Sequence, residues 1–277
     1  MDFVEILKAV LFGIVEGVSE WLPISSTGHM ILLNEFVTLN MSEEFFEVFL
    51  VVIQLGAIMA VVTLFFKQLW PFAKGEQYYL KKDTWVMWFK VLVACVPAAI
   101  IGVLFDDILE QYLYNYQTVA TSLIVFGIAF ILIENRNKGK EPKIISIGEI
   151  TYKTALIIGI FQLIAAIFPG TSRSGATIIG ALLIGVSRTV AAEFTFFLAI
   201  PVMFGASLLK LVKFGMVPST DELVILLVGM VVAYIVSIVV IRFLMGYIKQ
   251  HDFKVFGWYR IVLGFVVLGY FVLANFT

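Results

Sequence analysis

The sequence predicts an all-α polytopic membrane protein built from two inverted-topology repeats, each a re-entrant helix hairpin followed by three transmembrane helices. Three observations carry that prediction. Of the 277 residues, 61% are hydrophobic and only 14% charged, with a mean hydropathy of +1.02. A soluble domain is nearer 45–50% apolar and about 25% charged, and its surface has too much area to cover for the excess to be hidden inside. Six apolar runs are long enough to cross a bilayer, at roughly 20 residues each. Two further apolar stretches are interrupted, where a continuous helix would lie deep in lipid, by segments rich in Pro, Gly and Ser.

The first interrupted stretch is Val4–Leu33, broken at Pro23. Irregular backbone at membrane depth persists only where protein or a water-filled cavity satisfies it, so this reads as a re-entrant hairpin. Spans follow at about Phe45–Phe66, Val86–Phe105 and Tyr114–Ile133. The second interrupted stretch, Tyr152–Gly185, breaks at Pro169-Gly170, and spans follow at about Val190–Leu209, Leu223–Met245 and Phe256–Phe276. The chain reads as a single membrane domain over 1–277, with repeat one at about 1–135 and repeat two at about 148–277.

Four identities support the repeat at one ungapped offset: Gly13 with Gly159, Pro23 with Pro169, Ser26 with Ser172 and Glu47 with Glu193, while Glu16 falls opposite Gln162. Sparse identities of this kind also arise by chance. The element order supports the repeat separately, and three spans per half is odd, so the second half is inverted. Inverted repeats with broken helices place their site near the midplane.

Loop charges orient the spans. Lys67, Lys74, Lys81 and Lys82 occupy 67–85; Arg136, Lys138, Lys140 and Lys143 occupy 135–151; Lys249 and Lys254 occupy 246–255. The loop with Asp106, Asp107 and Glu110, and residues 34–45, carry acidic charges only. The positive-inside rule makes the three basic loops cytoplasmic and both termini external; Lys210 and Lys213, near an outer loop, run against it. MDFVEILK lacks a basic n-region and reads as mature sequence rather than a signal peptide. A net charge of −1 gives no case for nucleic acid. The single Cys95 excludes an intrachain disulfide framework and reads as a small buried hydrophobe.

The first hairpin brings Glu16 and Glu20 to one helix face at i,i+4. Two like charges there need a cation between them or a proton on one, and each is expensive inside a membrane; a helix end in interfacial water is the alternative. Ser25, Ser26 and Thr27 follow Pro23 at the start of a second helical arm, where free N–H groups and the helix dipole favour an anion. Ordinary N-capping explains Ser25 as well or better; Ser26 and Thr27, with His29 close by, suit chemistry. His251, in a basic loop, reads as solvated. The second hairpin offers Gly170, Thr171, Ser172, Arg173, Ser174, Gly175 and Thr177. Arg173 is the only charge between Lys153 and Arg188. Its fork matches phosphate oxygens, and a salt bridge to Glu16 or Glu20 is the plain alternative. Together these groups suggest a phosphate site with carboxylates able to hold a divalent cation beside substrate phosphates.

These residues resemble the bacterial undecaprenyl-diphosphate phosphatases, also called bacitracin-resistance proteins. The pattern E-x-x-x-E matches Glu16 and Glu20, L-P-[VI]-S-S-T-G-H matches Leu22 to His29, and P-G-x-S-R-S-G-A-T matches Pro169 to Thr177. Phe46-Glu47-Val48, Ile53-Gln54-Leu55-Gly56, Gly185-Val186-Ser187-Arg188, Glu193-Phe194 and Tyr259-Arg260 are similar to the family as well, so the likeness runs nearly the whole chain. The resemblance implies hydrolysis of undecaprenyl diphosphate to undecaprenyl phosphate and inorganic phosphate in the bacterial plasma membrane. That reaction recycles the lipid carrier for wall polymers and lowers bacitracin sensitivity. It also implies a divalent cation, Mg²⁺ or Ca²⁺, and a site facing outward.

On this reading Ser26 attacks phosphorus, with Thr27 as support or replacement. His29 accepts the proton of Ser26 or protonates the leaving oxygen. Arg173 offsets charge, and Ser25, Gly170, Ser172, Ser174 and Thr177 bind phosphate. Glu16 and Glu20 hold the metal, or one of them activates a water. Glu47, Glu193 and Gln54 stand behind the site, the two glutamates accepting hydrogen bonds from loop N–H groups. Arg260 pairs with an acid or a phosphate. The rival is a flippase or secondary transporter without hydrolysis. The oligomeric state is open, a homodimer included.

Overall fold

The computed structural model describes residues 2–73, 79–215 and 218–274, and the backbone alone at 73, 79, 80, 106, 107 and 110. Lys74 and the end of the last predicted span, at Phe276, lie outside the described residues. Among the described residues the regular elements are helices, apart from one short antiparallel pair, β1 (Phe72–Ala73) with β2 (Tyr79–Leu80), and an isolated bridge between Ile144 and Val186. Six helices are long and apolar enough to cross a membrane, and they coincide with the six predicted runs: α3 (Glu43–Leu64), α5 (Lys82–Leu113), α6 (Tyr116–Asn137), α9 (Arg188–Phe214), α10 (Thr220–Tyr247) and α11 (Lys254–Ala274). Each interrupted stretch is a pair of shorter helices, α1 (Phe3–Ser19) with α2 (Ser26–Phe36), and α7 (Tyr152–Ile167) with α8 (Arg173–Leu183). At 1.5 Å per residue α2 and α8 are each about 16 Å long, half a hydrocarbon core. The single turn α4 (Phe66–Leu69) and a 3-10 turn at Ile147–Glu149 complete the helices among the described residues.

One boundary differs from expectation. Residues 106–110, predicted as an acidic loop, continue α5 to Leu113. Asp and Glu are tolerable helix formers, and nothing there breaks the backbone before Asn115, which caps α6 by accepting from the Thr118 N–H.

Polar caps set the other starts. Ser42 accepts from the Phe45 N–H, Thr151 from Thr154, Ser187 from Val190, and Ser219 forms a reciprocal box with Glu222. Pro97 and Pro201 lie inside α5 and α9, as membrane helices allow. Where lipid supplies no hydrophobic drive between helices, small residues let backbones close up. A Cβ on Gly13 would stand 2.6 Å from the Gly229 carbonyl of α10, and one on Gly159 would stand 2.4 Å from the Ala94 carbonyl of α5. The buried core centres on α8 and α9, with Ile178, Phe194, Phe196 and Phe197 fully enclosed. Val103, Val239 and Val262 are among the apolar side chains left on the outside, the arrangement lipid as solvent requires.

Candidate active site

The loops of the two helix pairs touch. Arg173 Nη2 donates to Glu20 Oε1 at 2.9 Å, and Ser174 Oγ donates to the Glu20 carbonyl at 3.1 Å. Glu20 closes a chain of three groups, because Ser26 Oγ donates to its second oxygen, Oε2, at 2.8 Å. The second Arg173 arm, Nη1, donates to the Thr195 carbonyl at 3.2 Å and aims the guanidinium. An ion pair with both members mostly enclosed is stable only with this degree of hydrogen bonding.

Local backbone explains how the hydroxyls arrive there. Ser25 (φ 75°) and Ser172 (φ 68°) are the two non-glycine residues of positive φ among the described residues. Each caps a helix of eleven residues by accepting from the N–H three positions on, Gly28 or Gly175. Left-handed backbone outside glycine marks stored strain and clusters at functional sites. The local counterpart of Ser172 is therefore Ser25, not Ser26 as the ungapped alignment has it. From its proline to its cap, the second loop is one residue longer, and Gly170 (φ +86°) absorbs the extra turn. Ser26 then matches Arg173: the first residue of α2 is a hydroxyl and the first residue of α8 a cation, facing each other across Glu20.

A cavity of about 520 Å³ opens beside this chain. Ser26, Thr27, Met30, Ile31 and Asn34 line it from one face of α2, with Glu16, Glu47, Gln54 and Lys210 from neighbouring helices. Glu16 is buried, and its Oε1 has no hydrogen-bond partner, so it is an unsatisfied acceptor at the cavity wall. No cluster of three or more His, Cys, Asp or Glu exists among the described residues. The donor set fits Mg²⁺ or Ca²⁺ only in the mode that borrows substrate phosphates and water. The free ligand is Glu16, since both oxygens of Glu20 are committed.

Several expected phosphate ligands do other work. Thr177 is fully buried, donating to the Arg173 and Ser174 carbonyls and sharing a hydrogen bond with Thr195 Oγ1 at 2.9 Å. It fixes the first turn of α8 instead of facing the cavity. Ser25 is buried as a cap, and Ser174 is buried against the Glu20 carbonyl. Ser172 pairs with Ser174 Oγ at 3.1 Å while capping. Gly170 approaches α6 so closely that a Cβ would lie 2.4 Å from the Val119 carbonyl, and Gly175 leaves room for the Arg260 guanidinium. Glu47 does not meet a loop N–H but takes Lys210 Nζ at 2.6 Å, and Glu193 accepts from Gln68.

His29 is held on both sides. Its Nδ1 lies 2.7 Å from the Ser25 carbonyl, which only accepts, so Nδ1 carries the proton. Nε2 lies 2.7 Å from Tyr259 Oη, and the two rings are nearly coplanar, meeting edge to edge. In the neutral imidazole, Nε2 is thus the acceptor of the tyrosine proton. The next residue, Arg260, is completely buried, and among the described residues no acid pairs with it. Nη1 donates to the Pro23 carbonyl at 3.3 Å, and Nη2 to Gly170 and Thr171 carbonyls at 3.0 and 2.7 Å. One guanidinium from α11 pins both loop tips. Arg260 was legible as a lone charge inside the last span, though its carbonyl partners were not; Tyr259 stood out only within its family-like stretch, and no role followed from it.

The fold and these contacts define a polytopic helical membrane protein with an acid–hydroxyl–arginine site inside the bundle. The sequence model of the bacitracin resistance protein BacA family matches residues 9–266, and the chain belongs to that family. It is 67% identical to "Undecaprenyl-diphosphatase 1" of Clostridium acetobutylicum, over 99% of this chain and all of the relative. It is 67% identical to "Undecaprenyl-diphosphatase" of Desulfitobacterium hafniense, over 98% of each chain, and 62% identical to a protein of that name from Enterococcus faecalis, over 97% of this chain and 98% of the relative.

Proposed function

We propose that the protein hydrolyses undecaprenyl diphosphate to undecaprenyl phosphate and inorganic phosphate in the bacterial plasma membrane, recycling the carrier for wall polymers and conferring bacitracin resistance. The observation that carries this reading is the Ser26–Glu20–Arg173 chain across two loop tips, beside a cavity bordered by lipid-facing helices.

The terminal phosphate sits between Arg173 and the start of α2. Ser26 Oγ already points its proton at Glu20, so Glu20 is the base; His29, with its lone pair taken by Tyr259, is not. Ser26 attacks the terminal phosphorus as Glu20 takes the proton. The bridging P–O bond breaks, undecaprenyl phosphate leaves on the bridging oxygen, and the phosphoryl group stays on Ser26. Water then attacks the phosphoserine, losing a proton to the medium; inorganic phosphate departs, and Ser26 recovers its proton from Glu20. Arg173 offsets the charge on the equatorial oxygens throughout, the main protein contribution to phosphoryl transfer. Thr27 borders the same space and supports a phosphate oxygen. Glu16 would hold a divalent cation beside the substrate phosphates, where its charge would offset that of the diphosphate. His29 and Tyr259 hold the first turn of α2 in register.

The membrane arrangement that fits is two inverted repeats, 1–135 and 148–277. The α1–α2 and α7–α8 hairpins are re-entrant from opposite faces, the basic loops are cytoplasmic and the site opens outward. Matched caps at Ser25 and Ser172, helices too short to span, and matched close contacts at Gly13 and Gly159 support it.

The test is phosphate release from prenyl diphosphate by purified protein, with Mg²⁺ or EDTA. Metal-dependent release, abolished in Arg173→Ala, supports the enzyme. Intact substrate moved across liposomes with no release refutes it.

A further inference from the structure

The C-terminal end of α8, about 16 Å from Arg173 along the helix axis, borders a second cavity of about 660 Å³. Segment 136–143, turn 182–189 and Ile248-Lys249 line it. The volume falls within the range of small-molecule sites. Its walls carry Arg136, Lys138, Lys140, Lys143 and Lys249, plus Arg188. Two carboxylates oppose these six cations. Glu134 is consumed by Arg188, which donates through Nε and Nη2, and by the Phe253 N–H; Glu141 remains. Among the described residues none of the five other cations has an ion-pair partner.

A mobile lysine run would bind any anion weakly, because each side chain must first be ordered. This one is pinned. Lys143 N and Ile144 N donate to the Gly185 carbonyl at 2.8 and 3.2 Å, Ser187 N returns a bond to the Ile144 carbonyl at 2.9 Å, and Asn137 Nδ2 donates to the Leu182 carbonyl at 2.9 Å. Gly185 has φ +89°, and a Cβ there would lie 3.3 Å from Lys143 Cγ, so the lysine stem lies against the turn. Arg136, Lys138, Lys140, Lys143 and Lys249 are exposed, and cations of one sign gathered on a concave surface raise the local concentration of an anion, while ammonium and guanidinium groups together suit phosphate oxygens.

We propose that this cavity is a binding site for a phosphate-bearing anion, separate from the catalytic site. The inference does not rest on the hydrolase reading. Only its placement on the cytoplasmic side rests on the loop-charge orientation, which sets it among inner-leaflet headgroups, where basic pockets between helices take anionic lipid. Span orientation alone needs lysines in loops but no walled cavity, and the controls below separate the two.

Full-length protein is placed in phosphatidylcholine nanodiscs with or without phosphatidylglycerol, and retained lipid is read by native mass spectrometry. In parallel, inorganic diphosphate is titrated against the phosphatidylcholine sample. The wild type retains phosphatidylglycerol, binds diphosphate, or both. K138Q/K140Q/K143Q lowers that binding about a hundredfold, from about fivefold per lysine near a membrane surface, while hydrolysis persists. K249Q, on the opposite wall, lowers it about fivefold and serves if the triple variant does not fold. K81Q/K82Q, with charge removed from another basic loop, leaves it unchanged. Lipid retention without diphosphate binding names a headgroup as occupant, and the reverse names a soluble phosphate. Binding of neither, or equal losses in the 138–143 and 81–82 variants, overturns the site.

Discussion

The two helix hairpins are capped alike and differ in how tightly they are held. Each has an eleven-residue second arm capped by a serine of positive φ, with a glycine three residues on. In α8, every residue from Ser174 to Leu182 is buried; in α2, only Gly28 and Met30 are. The second hairpin is embedded in the aromatic core around Phe194 and Phe196, and its arginine is braced by the Thr195 carbonyl. The first hairpin presents a whole face of α2 to the cavity, carries both carboxylates, and sets Glu16 where the second has Gln162. Dense packing fixes a charge in one direction, and open packing leaves room for substrate. Two similarly capped hairpins serve as a rigid cation holder and an accessible acid–hydroxyl arm. Breaking either half should give different symptoms.

The largest effect falls on the rigid half. Arg173→Ala removes the charge that faces a loose transition state and should lower kcat/KM about a thousandfold. Arg173→Lys should recover little of it, because the two arms make two differently directed bonds, to Glu20 and to the Thr195 carbonyl. Near-normal phosphate release from Arg173→Lys would show that α8 supplies only a point charge, and the argument for rigid aiming would fail.

On the open half, Glu20→Gln keeps shape but removes the base and half the ion pair. A loss of about a hundredfold or more in kcat, with a smaller change in KM, is expected from single-turnover assays. Ser26→Ala should lose at least as much. If Ser26→Ala turns over normally, direct attack by water replaces the seryl route, and Glu20 is then the base for that water.

Much of this was legible in the sequence because the signals are local. Six apolar runs, two prolines at the hairpin breaks and the positions of Glu20, Ser26 and Arg173 all follow from spacing and from the expense of charge in lipid. What escaped depends on contacts across the chain. No pattern around Tyr259 says that it meets His29, 230 positions away. Thr177 looks like a phosphate ligand until its hydroxyl is seen spent on the first turn of α8. The ungapped offset pairs Ser26 with Ser172 on paper, whereas the cap serine is chosen by φ and by the N–H it accepts, and by that measure Ser25 resembles Ser172. The acidic segment 106–110 read as a loop because charge suggested water, yet it carries no backbone breaker.

The comparison sharpens at the residue that joins the halves. Arg260 donates to a carbonyl from the first loop and two from the second. Arg260→Met leaves those acceptors buried and unpaired, at about 1–3 kcal/mol each. The variant should show a melting temperature in detergent lower by several degrees, and activity should fall with it. Gly170→Ala should be milder, about 1–3 kcal/mol for left-handed backbone on a residue with a Cβ, together with the clash on the Val119 carbonyl. If Gly170→Ala melts like the wild type, the extra residue of the second loop is not the constrained turn described above.

The smallest effect tests how firmly the open arm is steadied. Tyr259→Phe keeps the ring beside His29 and deletes only the hydroxyl donating to Nε2. One neutral hydrogen bond is about 1 kcal/mol, so kcat/KM should fall about fivefold with little change in melting temperature. Tyr259→Ala also removes the ring that fills the space beside His29 and should fall further. A Tyr259→Phe loss as large as that of Glu20→Gln would mean that the hydroxyl moves a proton in the reaction, and His29 would then belong with the reacting groups. No loss in either variant would mean that α2 is held by its Ser25 cap alone, and the first hairpin would be as self-sufficient as the second.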